Sequence, residues 1–162
     1  VIDTEGAHAS INFKVSHMGF SWLKGRFNKF DGEFSYDAND LSTAKITVNI
    51  DTSSVDSNHA KRDKHIRSDD FLDTSKFSTA KFVSNKIVDI GNNKLTITGD
   101  LTMHGITKSI VIDAEKLKEG NDPWKGYRVG FTGTAVLNMG DFGLKKDFGE
   151  VLFELDFEGV RQ

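Results

Sequence analysis

Cysteine is absent from the 162 residues, and with it go disulfides, thiol nucleophiles and thiolate metal sites. No apolar run is long enough to make a membrane-spanning helix, so stable membrane insertion is not expected. A marked excess of acidic or basic residues is missing too. Basic residues number 21 against 24 acidic, a net charge of −3, and nothing marks a nucleic-acid partner. The sequence carries no G-x-S-x-G, no phosphate-binding P-loop and no H-E-x-x-H. It starts at Val1 without an initiator methionine or a charged-then-apolar leader, as expected of a mature exported protein or a trimmed chain.

The aromatic content is what stands out. Thirteen Phe and 15 Gly accompany a single Pro, a composition that suits aromatic strands joined by glycine turns better than a helical bundle. The length fits one domain, 1–162, with a sizeable core.

Period-two alternation runs through most of the chain. Ile11, Phe13 and Val15 share one face of a first strand, with Ser10, Asn12 and Lys14 on the other. From Trp22 to Tyr36 a second long strand region carries Phe27, Phe30, Phe34 and Tyr36. The odd step from Phe27 to Phe30 predicts a bulge near Asn28-Lys29. Asp37 to Asp40 reads as a turn. Later inward rows are Ala44 to Ile50, Leu95 to Leu101, Val129 to Leu137, and Val151 to Phe157. About eight strands in hairpin succession fit an all-β, up-and-down antiparallel barrel, whose interior is either filled or holds one small ligand. A sandwich filled by the same phenylalanines fits the pattern equally well.

One stretch, Val55 to Phe82, breaks the alternation. It is predicted to hold a helix capped by Asp56 or Ser57 and running to about Arg67, with Asp63 and Arg67 as an i,i+4 pair. Ser68 is the expected cap of a second short turn. Val55, Ala60 and Ile66 are nearly all the apolar surface this helix offers, so it should lie across an opening rather than in a core. Phe71 and Leu72 follow as apolar anchors. His59, Asp63 and His65 are of the types that ligate zinc or iron. Against a metal, they sit among Lys61, Arg62, Lys64 and Arg67, and the two imidazoles point roughly opposite ways on a helix. No catalytic set, metal or cofactor is expected.

Several blocks in order resemble the YceI-like family. They are His17-Met-Gly-Phe-Ser-Trp-Leu-Lys-Gly-Arg-Phe27, the insert from Ser54 to Asp73, Gly99-Asp-Leu-Thr-Met-His-Gly-Ile-Thr-Lys108, and Asp141-Phe-Gly143. Two positions depart from the family pattern: Ser78 replaces a usual proline, and Met139 a common arginine. The resemblance implies a lipocalin-like eight-stranded antiparallel barrel with a short helical insert after the early strands. It further implies an apolar tube for a polyisoprenoid or similar long-chain amphiphile (a quinone or polyprenyl phosphate), a periplasmic location and a homodimer as a known family assembly.

On that reading the tube is lined by Ile11, Phe13, Val15, Phe27, Phe34, Phe131 and Phe153. Phe20, Trp22, Phe71, Phe82 and Phe142 add further apolar contacts, and Arg62, Lys64, His65 and Arg67 stand near the mouth for a polar head. Two rival roles are an enzyme acting on such a lipid through His59, Asp63 and His65, and an interaction protein responding to envelope stress.

Overall fold

A computed structural model describes residues 1–162 other than Tyr36, Ala38 and Phe148. Tyr36, expected at the end of an aromatic row, and Ala38, inside an expected turn, therefore lie outside the described residues. The early strands are β1 (Ser10–His17), β2 (Ser21–Phe27), β3 (Phe30–Ser35), β4 (Lys45–Asp51) and the two-residue β5 (Val55–Asp56). One helix follows, α1 (Ala60–Arg67), and then five long strands. These are β6 (Thr79–Gly91), β7 (Lys94–Met103), β8 (Ile106–Asn121), β9 (Tyr127–Asn138) and β10 (Glu150–Val160).

All ten belong to one antiparallel sheet, in the order β3-β4-β6-β7-β8-β9-β10-β1-β2-β5. The count exceeds the expected eight because the strand region from Trp22 onward divides in two and the insert adds the short β5. The division falls at Asn28-Lys29, where a bulge was expected. There the backbone leaves the ladder: the Asn28 amide donates to the Ser54 carbonyl (3.1 Å), and the Asp51 amide to the Lys29 carbonyl (3.0 Å). Such a break bends the sheet sharply.

Turn chemistry sets the register of the long hairpins. Asn92 and Asn93 between β6 and β7 have φ of 55° and 62°, and His104 and Gly105 between β7 and β8 have 55° and 74°. Two consecutive residues at positive φ match the right-handed twist of a two-residue hairpin. The sheet then curls into a barrel, and the first residues bridge its two flanks. The Ile2 amide donates to the Gly32 carbonyl on β3 (3.0 Å), and the Asp3 amide to the Glu158 carbonyl on β10 (2.8 Å). The barrel closes there.

The insert departs from expectation in detail. His59, not Asp56 or Ser57, caps α1: its Nδ1 accepts from the Arg62 amide at 3.1 Å. Asp56 is occupied by Asn28 and by the Asn58 amide. Asp63 turns inward instead of pairing with Arg67, and accepts from the Ser57 amide (2.8 Å) and hydroxyl (2.5 Å). Ser68 does cap the following turn, accepting from the Asp70 amide at 3.3 Å. Leu72 is buried, and α1 lies against one end of the barrel.

Candidate ligand-binding channel

Alternation places the inward rows of the strands around a common interior. That interior is hollow. A cavity of about 140 Å³ runs inside the barrel, lined by 28 residues, of which Ser35, Thr52 and Thr132 are the polar ones. Both threonines turn their hydroxyls to the wall: Thr52 Oγ1 donates to the Phe77 carbonyl (2.8 Å), Thr132 Oγ1 to the Leu155 carbonyl (3.3 Å). Among the described residues no charged side chain lines the space. Phe34, Phe131, Phe153, Leu155 and Phe157 face inward yet are only partly buried, whereas a filled barrel would bury them.

Ring packing keeps the wall rigid. Phe34 meets Phe131 edge-on at 5.8 Å, and Phe30 meets Phe157 at 6.1 Å, the T-shaped geometry that aromatic quadrupoles favour. Gly159 makes this possible at one point. A Cβ there would collide with the far edge of the Phe34 ring, so the ring approaches bare backbone.

Toward the insert the channel widens into a hollow of about 580 Å³, which shares Phe27, Met103 and Phe153 with the inner cavity. The two adjoin at those three side chains. Along β10 the lining runs from Phe157 to Val151, roughly 20 Å at the rise of a strand. Phe13, Val15, Leu23, Phe71 and Leu72 wall the hollow, and Arg62 and His65 bring the only ionisable side chains among its described lining besides His17.

The expected site residues divide accordingly. Ile11, Phe27, Phe34, Phe82, Phe131 and Phe153 line the inner cavity, while Phe13, Val15 and Phe71 belong to the hollow at its mouth. Phe20, Trp22 and Phe142 are corrections. Phe20 and Trp22 stand 84% and 59% exposed on the β1–β2 hairpin, because Trp22 takes the outward parity of β2 and Phe20 sits in the turn. Phe142 faces away from the channel. It is the most deeply buried ring, packed under the turn between β9 and β10, and its carbonyl accepts from His104 Nδ1 at 2.9 Å. Of the four polar residues assigned to the mouth, Arg62 and His65 line it; Lys64 and Arg67 are not among its described lining.

The rim groups are held by the insert's own bonds. Arg62 donates from Nε to Ser57 Oγ (2.8 Å) and from Nη2 to the Ser57 carbonyl (2.6 Å). His65 Nε2 lies 2.8 Å from Asp70, and its ring meets Phe71 edge-on at 4.9 Å. The His65 bond is the foremost cause holding the Asp70 carboxyl below the usual carboxylate range. Lys145 and Lys146, which the sequence reading did not single out, tie the β9–β10 connection to the insert through Asp69 (2.9 Å) and Asp70 (3.4 Å). Lysines beside a D-F-G turn carry no pattern that would have flagged them. His59, Asp63 and His65 do not converge on a point: one caps the helix, one accepts from Ser57, one faces Asp70. The group of three potential ligands that does converge among the described residues is Asp3, His8 and Glu158 at the far end, and Arg128 already lies against both of its carboxylates.

Comparison with known proteins places this architecture. The YceI-like domain family matches residues 1–158. A UPF0312 protein of Shewanella denitrificans is 57% identical and one of Vibrio cholerae 58%, each aligned over all of this chain and 87% of its own length. Among solved structures, BcnA of Burkholderia cenocepacia superposes with a TM-score of 0.87 at 20% identity, covering 98% of this chain and 99% of its own. The Campylobacter jejuni YCEI protein gives 0.82 at 26%, over 92% and 91%. A polyisoprenoid-binding domain from Saccharophagus degradans gives 0.70 at 16%, over 97% and 95%. With a match across nearly its whole length and relatives above half identity, the chain belongs to the YceI-like family.

Proposed function

We propose that the protein binds a long-chain isoprenoid lipid, with its tail in the barrel and its polar head at the insert mouth, and serves as a carrier, buffer or store in the periplasm. The observation that carries this reading is the hollow, apolar cavity inside the barrel, with a second hollow adjoining it beneath the insert. A flexible apolar chain entering it recovers about 0.8 kcal/mol per buried CH2, offset in part by the cost of fixing its rotations. A polar head group is unwelcome inside, where each described buried side-chain donor and acceptor already has its partner; an unpaired polar group there would forfeit its hydration. At the mouth, Arg62 brings a positive charge and N–H groups beyond the two bonded to Ser57. The polyisoprenoid-binding domain that shares this fold agrees in ligand class. The role is binding rather than catalysis, since His59, Asp63 and His65 are each engaged in shaping the insert.

Ala135→Phe tests the assignment. Ala135 is buried and lines the inner cavity, so a ring in its place fills the tube. The expected result is loss of the long-chain species from organic extracts with the fold retained, because an empty space accepts the added volume. Undiminished lipid in the folded variant contradicts a ligand in the channel.

A further inference from the structure

The β1–β2 hairpin projects three large apolar side chains into solvent: Met18, Phe20 and Trp22 are 76%, 84% and 59% exposed. The display is built. Met18 and Gly19 have φ of 51° and 79°, and the Phe20 amide closes the turn on the His17 carbonyl at 2.9 Å. Methionine is a poor choice for a left-handed position, where asparagine or glycine serves better. A long apolar side chain at such a point needs a use, and a contiguous exposed apolar patch marks an interaction surface.

Its surroundings say which kind. Val15, Ser16, His17 and Leu23, at the base of the hairpin, line the channel's mouth. Trp22 stands on the outer face of the hairpin with Lys14, whose Nζ lies 5.0 Å above its ring. Lys14 also sits directly opposite Lys24 in the ladder, and like charges so placed repel. Glu154, 3.6 Å from Lys14, relieves one of them. Across the mouth, α1 contributes Arg62 to the lining. An apolar tip with an indole at its edge, backed by Lys14 and Lys24 on the hairpin and by Arg62 in the mouth, has the chemistry of a shallow membrane anchor.

We infer that this hairpin docks the protein on an anionic lipid bilayer, Met18 and Phe20 entering the interface, with the channel's mouth turned to the membrane. The inference rests on the proposed lipid-binding role and supplies the route by which a tail passes between bilayer and barrel without crossing water.

Tryptophan emission tests it directly. The protein has two tryptophans, and Trp124 lies in the β8–β9 loop at the opposite end. In a Trp124→Phe protein, adding phosphatidylcholine vesicles that contain phosphatidylglycerol should shift Trp22 emission to the blue. Salt should reverse the shift. A Met18→Ser, Phe20→Ser protein should partition roughly tenfold or more weakly, from the lost apolar burial. Unshifted Trp22 emission, or equal partitioning of wild type and variant, overturns the inference. So does self-association that the same variant abolishes while vesicles are ignored, since a second copy then covers the tip. Failure of the lipid-binding role appears elsewhere, as an empty channel in organic extracts.

Discussion

At the scale of single residues, Phe71 and Leu72 look interchangeable in the sequence, and the barrel gives them different tasks. Both line the hollow, but Leu72 is only 4% exposed, whereas Phe71 is partly buried and lies against His65. Leu72→Ala is therefore expected to destabilise the fold by about 2–5 kcal/mol. Phe71→Ala should cost much less stability and accelerate ligand exchange. Melting temperature and ligand off-rate measured on both variants decide the matter, and equal stability losses would contradict the division. Periodicity made the inward rows legible, from Ile11 to Phe153, because a strand's two faces follow directly from sequence parity. It gave no guidance at Phe20 and Phe142, which lie in turns where parity has no meaning, and Trp22 was assigned by its aromatic character alone.

At the scale of elements, the segment that bridges β3 and β10 depends on one cation. Arg128 on β9 reaches Asp3, Glu158 (3.1 Å) and Asp122 (2.8 Å). Its hydrogen bond is the main cause that holds the Asp3 carboxyl down to about 2, helped by the Gly6 amide. The Gly126 amide and then Arg128 lower Asp122 as well. A carboxylate with a depressed folded pKa adds stability above its unfolded value, about 3.8 for Asp3, and loses it as pH falls through the folded value. Urea midpoints should accordingly fall between about pH 4 and pH 2 in the wild type, and Arg128→Ala should flatten that decline while lowering the midpoint at neutral pH. An unchanged acid profile in the variant would contradict the clamp. This network joins Asp3 to residues more than a hundred positions away, so no local pattern announced it. The helical insert, by contrast, was legible as an interruption of alternation. Its cap was not, because the competing bond of Asp56 to Asn28 is tertiary and Ser57 is taken up by Arg62 and Asp63 within the insert.

At the scale of the whole molecule, the open question in the sequence was whether thirteen phenylalanines fill a sandwich or wall a tube, since both demand the same alternation. The curled sheet, the bend at Asn28-Lys29 and the partly buried inward rings answer in favour of a hollow barrel. A 140 Å³ apolar space that remains empty forfeits dispersion contacts along its whole wall, and a lipid tail restores them. The most direct test is native mass spectrometry of protein purified without detergent. The expected spectrum shows the chain carrying one long-chain apolar molecule that organic solvent releases. A chain that flies at its bare polypeptide mass, and still does so after incubation with a polyprenyl lipid, would contradict the channel's assignment.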